Sequence, residues 1–439
     1  MEFVESVWWL LVLLGVMIVI HELGHYWAAV LCDVKVDVFS VGFGPRLFGF
    51  RRGETDFRFS AILFGGYVKM AGEQPGESVT SDPRAFSNKP RWQRLFIVFA
   101  GPLMNIILAV AVLTGLYMVR YYQPSEGYMN AVIGYVEEGS PAADAGIQKG
   151  DRVIEIDGRK SPTWDDLKET EGFSSNVSLA VVLQRDSRTI RTTLTPRYHE
   201  ESGMGYAGWR EDNDVEISEV RAGSAAEEAG LQPGDILVSA NGIPIRSTYG
   251  LPRLVEQSKS EPLKVVVRRG DELKTVHVTP RYQDVDGKMR WVMGIGMSPQ
   301  RQLTRLGFVP ALRESLNTNA RYATVILRFF KGMVEQRMSP KSLEGPIGIA
   351  KLSRAAAKRG AFEFFLLMAM VSLNLAVVNL LPIPVLDGGT ILLLLIEMTV
   401  RRDLSIQFKE IMFRVGFVFL LALMAFVLYN DITKQTAGS

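Results

Sequence analysis

The chain has 439 residues, with 49 Lys and Arg against 47 Asp and Glu, a net charge of +2, 47% hydrophobic and 22% charged residues. That length exceeds one ordinary domain, and the mixture points to membrane spans joined to soluble parts. The near-neutral charge, without a basic run interleaved with aromatics on a strand surface, argues against nucleic acid as a partner; the single cysteine, Cys32, excludes an intramolecular disulfide and a Cys-rich metal site.

Residues 1–32 form the first region. The run from Trp8 to Ile20 has no charge and apolar character resumes at Tyr26, enough to cross a hydrocarbon core about 30 Å thick. Glu2 and Glu5 stand where a secretory leader is basic, and no small-residue cleavage site follows, so the stretch reads as a retained span. Inside it lies HELGH, with His21 and His25 four apart on one helix face and Glu22 beside them. A charged group at the centre of a membrane helix costs roughly 2.5–3.5 kcal/mol on an insertion scale, so such groups mark function. Zinc offsets that cost: HExxH offers it two imidazole nitrogens and leaves Glu22 as the base toward an attacking water.

Residues 33–90 leave the apolar regime. Short β-prone runs alternate with glycines at 42, 44, 49, 53, 65 and 66, which predicts a hairpin or small sheet against the membrane. Its glycines serve turns and bulges, or an exposed strand edge that pairs with an extended substrate. The basic stretch NKPRWQR at 88–94 then precedes a second span within 91–120, which places the hairpin region on the cytoplasmic side. This span contains GPLMN at 101–105: Pro102 kinks it, Gly101 allows close helix approach, and Asn105 is either an interhelical hydrogen-bonding group or a neighbour of the active site.

An internal repeat occupies residues 131–282. Ser140, Gly146, Asp151, Gly158 and the block Thr195–Tyr198 recur 84 residues later at Ser224, Gly230, Asp235, Gly242 and Thr279–Tyr282. The shared pattern GSxAxxAGxxxGDxxxxxxG, followed by a helix-like stretch and two alternating strands, resembles a bacterial-type PDZ domain, giving units at 128–200 and 212–284. His199 and His277 fall at non-equivalent places in the repeat and read as surface residues.

Residues 301–360 mix spaced apolar residues with many Lys and Arg, which suits amphipathic helices on a membrane surface. A third apolar region, 362–400, is broken by NLLPIPVLDGG at 379–389, and irregular backbone at membrane depth is tolerated only where it is buried or lines a cavity. The last span lies within 408–430, so four spans place both termini and the soluble repeats outside. Histidine is nearly exhausted beyond the first span, so Asp387, in the broken backbone, is the candidate third ligand of a His₂-carboxylate zinc site.

Through HELGH, GPxxN, the tandem repeats and NLLPIPVLDGG, the chain resembles the bacterial branch of the site-2 protease family of intramembrane zinc metalloproteases, over nearly its whole length. The resemblance implies a polytopic α-helical protein of four transmembrane spans with a membrane-associated β-hairpin and two tandem PDZ domains, in the bacterial inner membrane. It implies Zn²⁺ on His21, His25 and Asp387, with Glu22 catalytic. The family's hairpin near the active site corresponds to the stretches holding Gly42, Gly44, Gly65, Gly66 and Tyr67. Its asparagines near the metal correspond to Asn374 and Asn379. With Asn105, these are the candidate substrate-binding residues, helix packing being the ordinary alternative for both Asn374 and Asn379. The implied substrate is a single-pass transmembrane protein, such as a pre-trimmed anti-sigma factor, reached from the lipid. Whether the PDZ grooves take a ligand is left open. Two other readings compete: a tethered protease acting on soluble proteins, for which no third His or Glu ligand is evident, and a silent membrane scaffold that uses its PDZ pair to capture protein termini.

Overall fold

Among the described residues, four helices are long and apolar enough to cross a membrane: Glu2–Leu31 (α1), Arg91–Val119 (α2), Ala361–Asn379, and Ile406–Thr433 within a helix that runs to Ala437. The computed structural model describes residues 2–73, 82–199, 203–285, 287–335, 338 and 345–437. Residues 74–81 of the expected hairpin region, and 336–337 and 339–344 of the expected surface helices, lie outside them. The chain divides into two units, one of residues 1–121, 305–330 and 343–439 and the other of residues 122–304 and 331–342.

In the first unit α1 and α2 cross at Gly24, where a β-carbon would overlap the Ala100 carbonyl. Only glycine lets two helix backbones come this close. Strands Val36–Arg52 (β1) and Thr55–Met70 (β2) form an antiparallel hairpin, closed by Gly53 in the left-handed region at φ +61°. Register shifts between Val36 and Phe48 bend the ribbon. Val36, Phe39, Val68 and Met70 at its base share a core with Ala28 of α1 and Ile97 of α2, while Leu47, Phe48 and Phe50 toward its tip are exposed.

The broken third region is two helices, Ala361–Asn379 and Asp387–Val400, separated by seven residues that carry Pro382 and Pro384. Its glycine pair follows from packing: a β-carbon on Gly388 would overlap the Leu380 and Leu381 carbonyls, and one on Gly389 the Ile383 carbonyl. The chain folds back on itself there, and Asp387 opens the second helix.

The region expected to hold surface helices contains Phe308–Val334 and Pro346–Arg359. The first packs along α2: Ser315 Oγ donates to the Val110 carbonyl at 2.9 Å, Tyr117 reaches Thr318 at 3.2 Å, and Ile326 joins Ala109 and Leu373. The last helix starts at Ile406, earlier than the apolar run alone indicates, and buries little of its middle.

The second unit holds the repeats, and their internal ties keep the 84-residue spacing. Arg185 grips Asp151 through Nε and Nη2 at 2.6 and 2.7 Å; Arg269 grips Asp235 the same way at 2.6 and 2.8 Å. Ser140 and Ser224 each cap a short helix by accepting from the backbone N–H three residues on. Each repeat builds antiparallel strands about its own apolar core. Both cores run past the bounds read from the repeat. Ala207 and Trp209 complete the first, and Met293, with Ile295 and Met297 packed against it, completes the second, because the closing strand of each lies after the repeated block. His199 and His277 are exposed.

The copies differ in how the helix meets the closing strand. Glu171, buried in the helix Trp164–Gly172 of the first, accepts hydrogen bonds from the Ala207 backbone N–H at 3.0 Å and from Trp209 Nε1 at 2.5 Å. Its equivalent in the second is Val255, which lines a cavity of about 370 Å³ with Leu251, Met293 and Ile295.

Candidate metal centre

One helical turn separates His21 from His25, so both rings leave α1 on the same side, edge to face with centroids 4.8 Å apart. Their Nε2 atoms stand 3.2 Å apart. The fold-back after Pro384 delivers Asp387 to the same place, with Oδ2 3.1 Å from His21 Nε2 and Oδ1 3.5 Å from His25 Nε2. One ligand atom from each of the three residues lies within 4.8 Å of the others.

Neighbouring groups fix the rings. His25 Nδ1 lies 2.9 Å from the Ile97 carbonyl oxygen on α2. That oxygen can only accept, so Nδ1 carries the proton and Nε2 turns its lone pair to the centre. His21 Nδ1 meets the Asn105 side chain at 3.3 Å. Gly101 leaves room for both rings: a β-carbon there would overlap His25 and lie 2.9 Å from His21 Cε1.

The donor set fits zinc. Ligands at about 2.0–2.1 Å on tetrahedral corners stand about 3.3 Å apart, close to the spacings of 3.1 and 3.2 Å found here. Asp387 Oδ2 is buried without a hydrogen-bond partner, an arrangement that is costly unless a cation meets it.

Glu22 borders the same cavity of about 430 Å³ as His21, His25 and Asp387. The base of the hairpin closes over it: a β-carbon on Gly66 would lie 3.3 Å from Glu22 Cγ, and the Val68 backbone N–H is directed at the carboxylate. Tyr67 also lines the cavity, receiving a hydrogen bond from Arg58 and stacking on Phe43.

The other candidates lie apart from the cavity wall. Gly42 packs on the carbonyls of Ser60 and Ile62 within the hairpin, and Gly65 lies against the Phe43 ring. Gly44 sits further along β1, near Ile62. Asn374 is exposed and Asn379, the last residue of its helix, is half-buried; neither lines the cavity. Their spacing of five turns them to different sides of the helix. Asn105 is fully buried behind His21 and does not line the cavity.

Sequence reasoning missed the far wall of the cavity. Glu397, wholly buried, receives Lys409 Nζ at 2.6 Å and the Leu404 N–H at 3.0 Å, with Arg94 Nη1 at 3.8 Å. A lone carboxylate in ILLLLIEMTV was the available signal.

A family model described as peptidase family M50 matches residues 9–423. The chain is 33% identical to a Xylella fastidiosa protein named as an inferred zinc metalloprotease, over 98% of this chain and 99% of that one. It is 30% identical to the regulator of sigma-E protease RseP of Salmonella typhimurium, over 97% of each.

Proposed function

Because this chain belongs to peptidase family M50 and is a zinc metalloprotease of the site-2 type, we propose that it hydrolyses peptide bonds of single-pass transmembrane proteins within or at the edge of the bilayer. The observation that carries this reading is the convergence of His21, His25 and Asp387, with a buried and unpartnered Asp387 oxygen, in a cavity that Glu22 shares. His21, His25 and Asp387 hold the zinc. When bound, zinc supplies Lewis acidity, polarising the scissile carbonyl and making water a nucleophile near neutral pH. Glu22 accepts the proton of the attacking water and returns it to the leaving amine nitrogen. Ile97 keeps the His25 ring in place throughout.

A transmembrane helix hides its peptide bonds in its own hydrogen bonds, so it must be unwound before attack. The hairpin supplies a partner for the extended chain by strand addition, and its base already lies over Glu22 through Gly66 and Val68. The orientation we assign places the hairpin on the cytoplasmic side of a bacterial inner membrane, with the repeats and both termini outside. The repeats are PDZ domains that admit only substrates already trimmed of bulky outer parts, a pre-trimmed anti-sigma factor being the type of substrate that this arrangement suits. Deleting residues 128–299, which removes both repeat cores whole, should therefore allow cleavage of intact, bulky substrates; unchanged selectivity would remove the gate.

The test is cleavage of a single-pass substrate by purified protein in detergent, comparing wild type with Glu22→Gln and Asp387→Asn, with and without chelator. Loss in all three cases is expected. Activity surviving Asp387→Asn would mean another third ligand. A wild type that neither cleaves nor binds zinc would favour a PDZ scaffold.

A further inference from the structure

Asn105 stands one turn beyond Gly101 on α2, with no exposed surface. Its amide nitrogen lies 3.3 Å from His21 Nδ1, while its oxygen, equally buried, has no hydrogen-bond partner. In that orientation the NH₂ group donates to Nδ1, and the ring proton must then sit on Nε2. A ring protonated on Nε2 cannot give that atom to a metal.

The two ends of a carboxamide have the same shape, so a half-turn about the last side-chain bond exchanges them without disturbing their neighbours. After it, Oδ1 faces Nδ1–H and accepts from it, and the lone pair of His21 Nε2 points where that of His25 already points. The oxygen gains a donor, and the NH₂ group turns to the side on which that oxygen found none.

We propose that Asn105 is a positioning residue for the metal: its side-chain oxygen accepts from His21 Nδ1–H and holds that ring in the tautomer that ligates through Nε2. It is the side-chain counterpart of the Ile97 carbonyl behind His25. Both supports come from α2, eight residues apart, so a single helix sets both rings of α1. The proposal rests on His21 being a zinc ligand. It assigns Asn105 a role behind the metal instead of one on the substrate.

Zinc affinity of the full-length protein in detergent, measured by competition with a chromophoric chelator, tests this without any turnover. Asn105→Leu keeps the volume and removes the acceptor; outer-shell partners of metal-bound histidines are worth about 10–100-fold in affinity, and a loss of that size is expected. Asn105→Asp can only accept, and should bind zinc within about threefold of wild type or more tightly. Were the Asn105 NH₂ the working group, aspartate would fail as leucine does, so equal weakening of both overturns the proposal. Two variants that bind like wild type overturn it equally. Should Asn105→Leu not fold, judged by thermal unfolding of the metal-free protein, aspartate against wild type decides alone: a tenfold loss refutes the acceptor role. A wild type with no zinc, or His21→Ala with undiminished zinc, instead refutes the ligand assignment beneath it.

Discussion

Gly101 lies flat against the imidazole of His25, so close that a β-carbon would overlap Nε2. Alanine is the better helix former by about 1 kcal/mol, so Gly101→Ala should leave α2 helical or more so. The ring must nevertheless move away from the shared centre. We expect at least tenfold weaker zinc binding by chelator competition, with helical content by circular dichroism unchanged. Wild-type affinity would mean that the ring is free to relocate.

Glu22 and Asp387 border one cavity, and the proposed reaction gives them separable duties. Glu22→Gln should keep about one zinc per chain and lose 10²–10⁴-fold in turnover, the usual worth of a positioned acid–base group. Asp387→Asn should lower zinc content itself. Metal analysis beside single-turnover cleavage separates the two, and equal zinc loss in both variants would contradict the division.

Lys409, partly exposed, pairs with the wholly buried Glu397 at 2.6 Å on the cavity's far wall. Removing Lys409 leaves the buried Glu397 carboxylate with the Leu404 N–H and the more distant Arg94, at a cost of about 1–3 kcal/mol, and replacing both side chains restores part of it. A double-mutant cycle with Lys409→Met and Glu397→Leu, read by unfolding in detergent, should show coupling above about 1.5 kcal/mol. Additive losses would mean that each side chain is satisfied elsewhere.

Burial pushes the Asp235 carboxyl up, but hydrogen bonds from Arg269 and the Gln232 N–H, with the Arg269 charge, hold it below its ordinary 3.8. A depressed carboxyl contributes stability that is fully present above 3.8 and is lost as pH falls through the folded value. Asp235→Asn should thus cost about 3 kcal/mol at neutral pH and weaken the acid sensitivity of the second repeat below that range. Hydrogen exchange on peptides from residues 230–269 of the whole chain, corrected for intrinsic rates, measures both.

The spans, the hairpin and the tandem repeats were legible because each rests on a local pattern: an uncharged run, glycine-punctuated β segments, a block recurring after 84 residues. Placing His21 and His25 on one face needed only the helical period. Expecting Asp387 beside them needed the cost of a carboxylate in broken apolar backbone. What stayed hidden depends on rotation about helix axes and on contacts between distant segments. The exposed face of Asn374, the approach of Val68 to Glu22, the Ile97 carbonyl behind His25 and the grouping of Arg94, Glu397 and Lys409 are all of this kind. Arg94 read naturally as a charge flanking a span, and nothing local shows that its guanidinium turns inward.

Glu171 gives the repeats an asymmetry that their shared framework conceals. In the first copy the Ala207 amide and the Trp209 indole already hold a carboxylate, and it belongs to the protein. An incoming carboxylate would have to evict Glu171 before reaching those donors. The second copy carries Val255 there, beside a cavity in which Leu251, Met293 and Ile295 are joined by Glu219, Arg221 and Glu256. Duplication has thus left the copies unlike at this point: the first ties its helix to its closing strand through a carboxylate and an indole, and the second packs Val255 against Met293 and Ile295 instead.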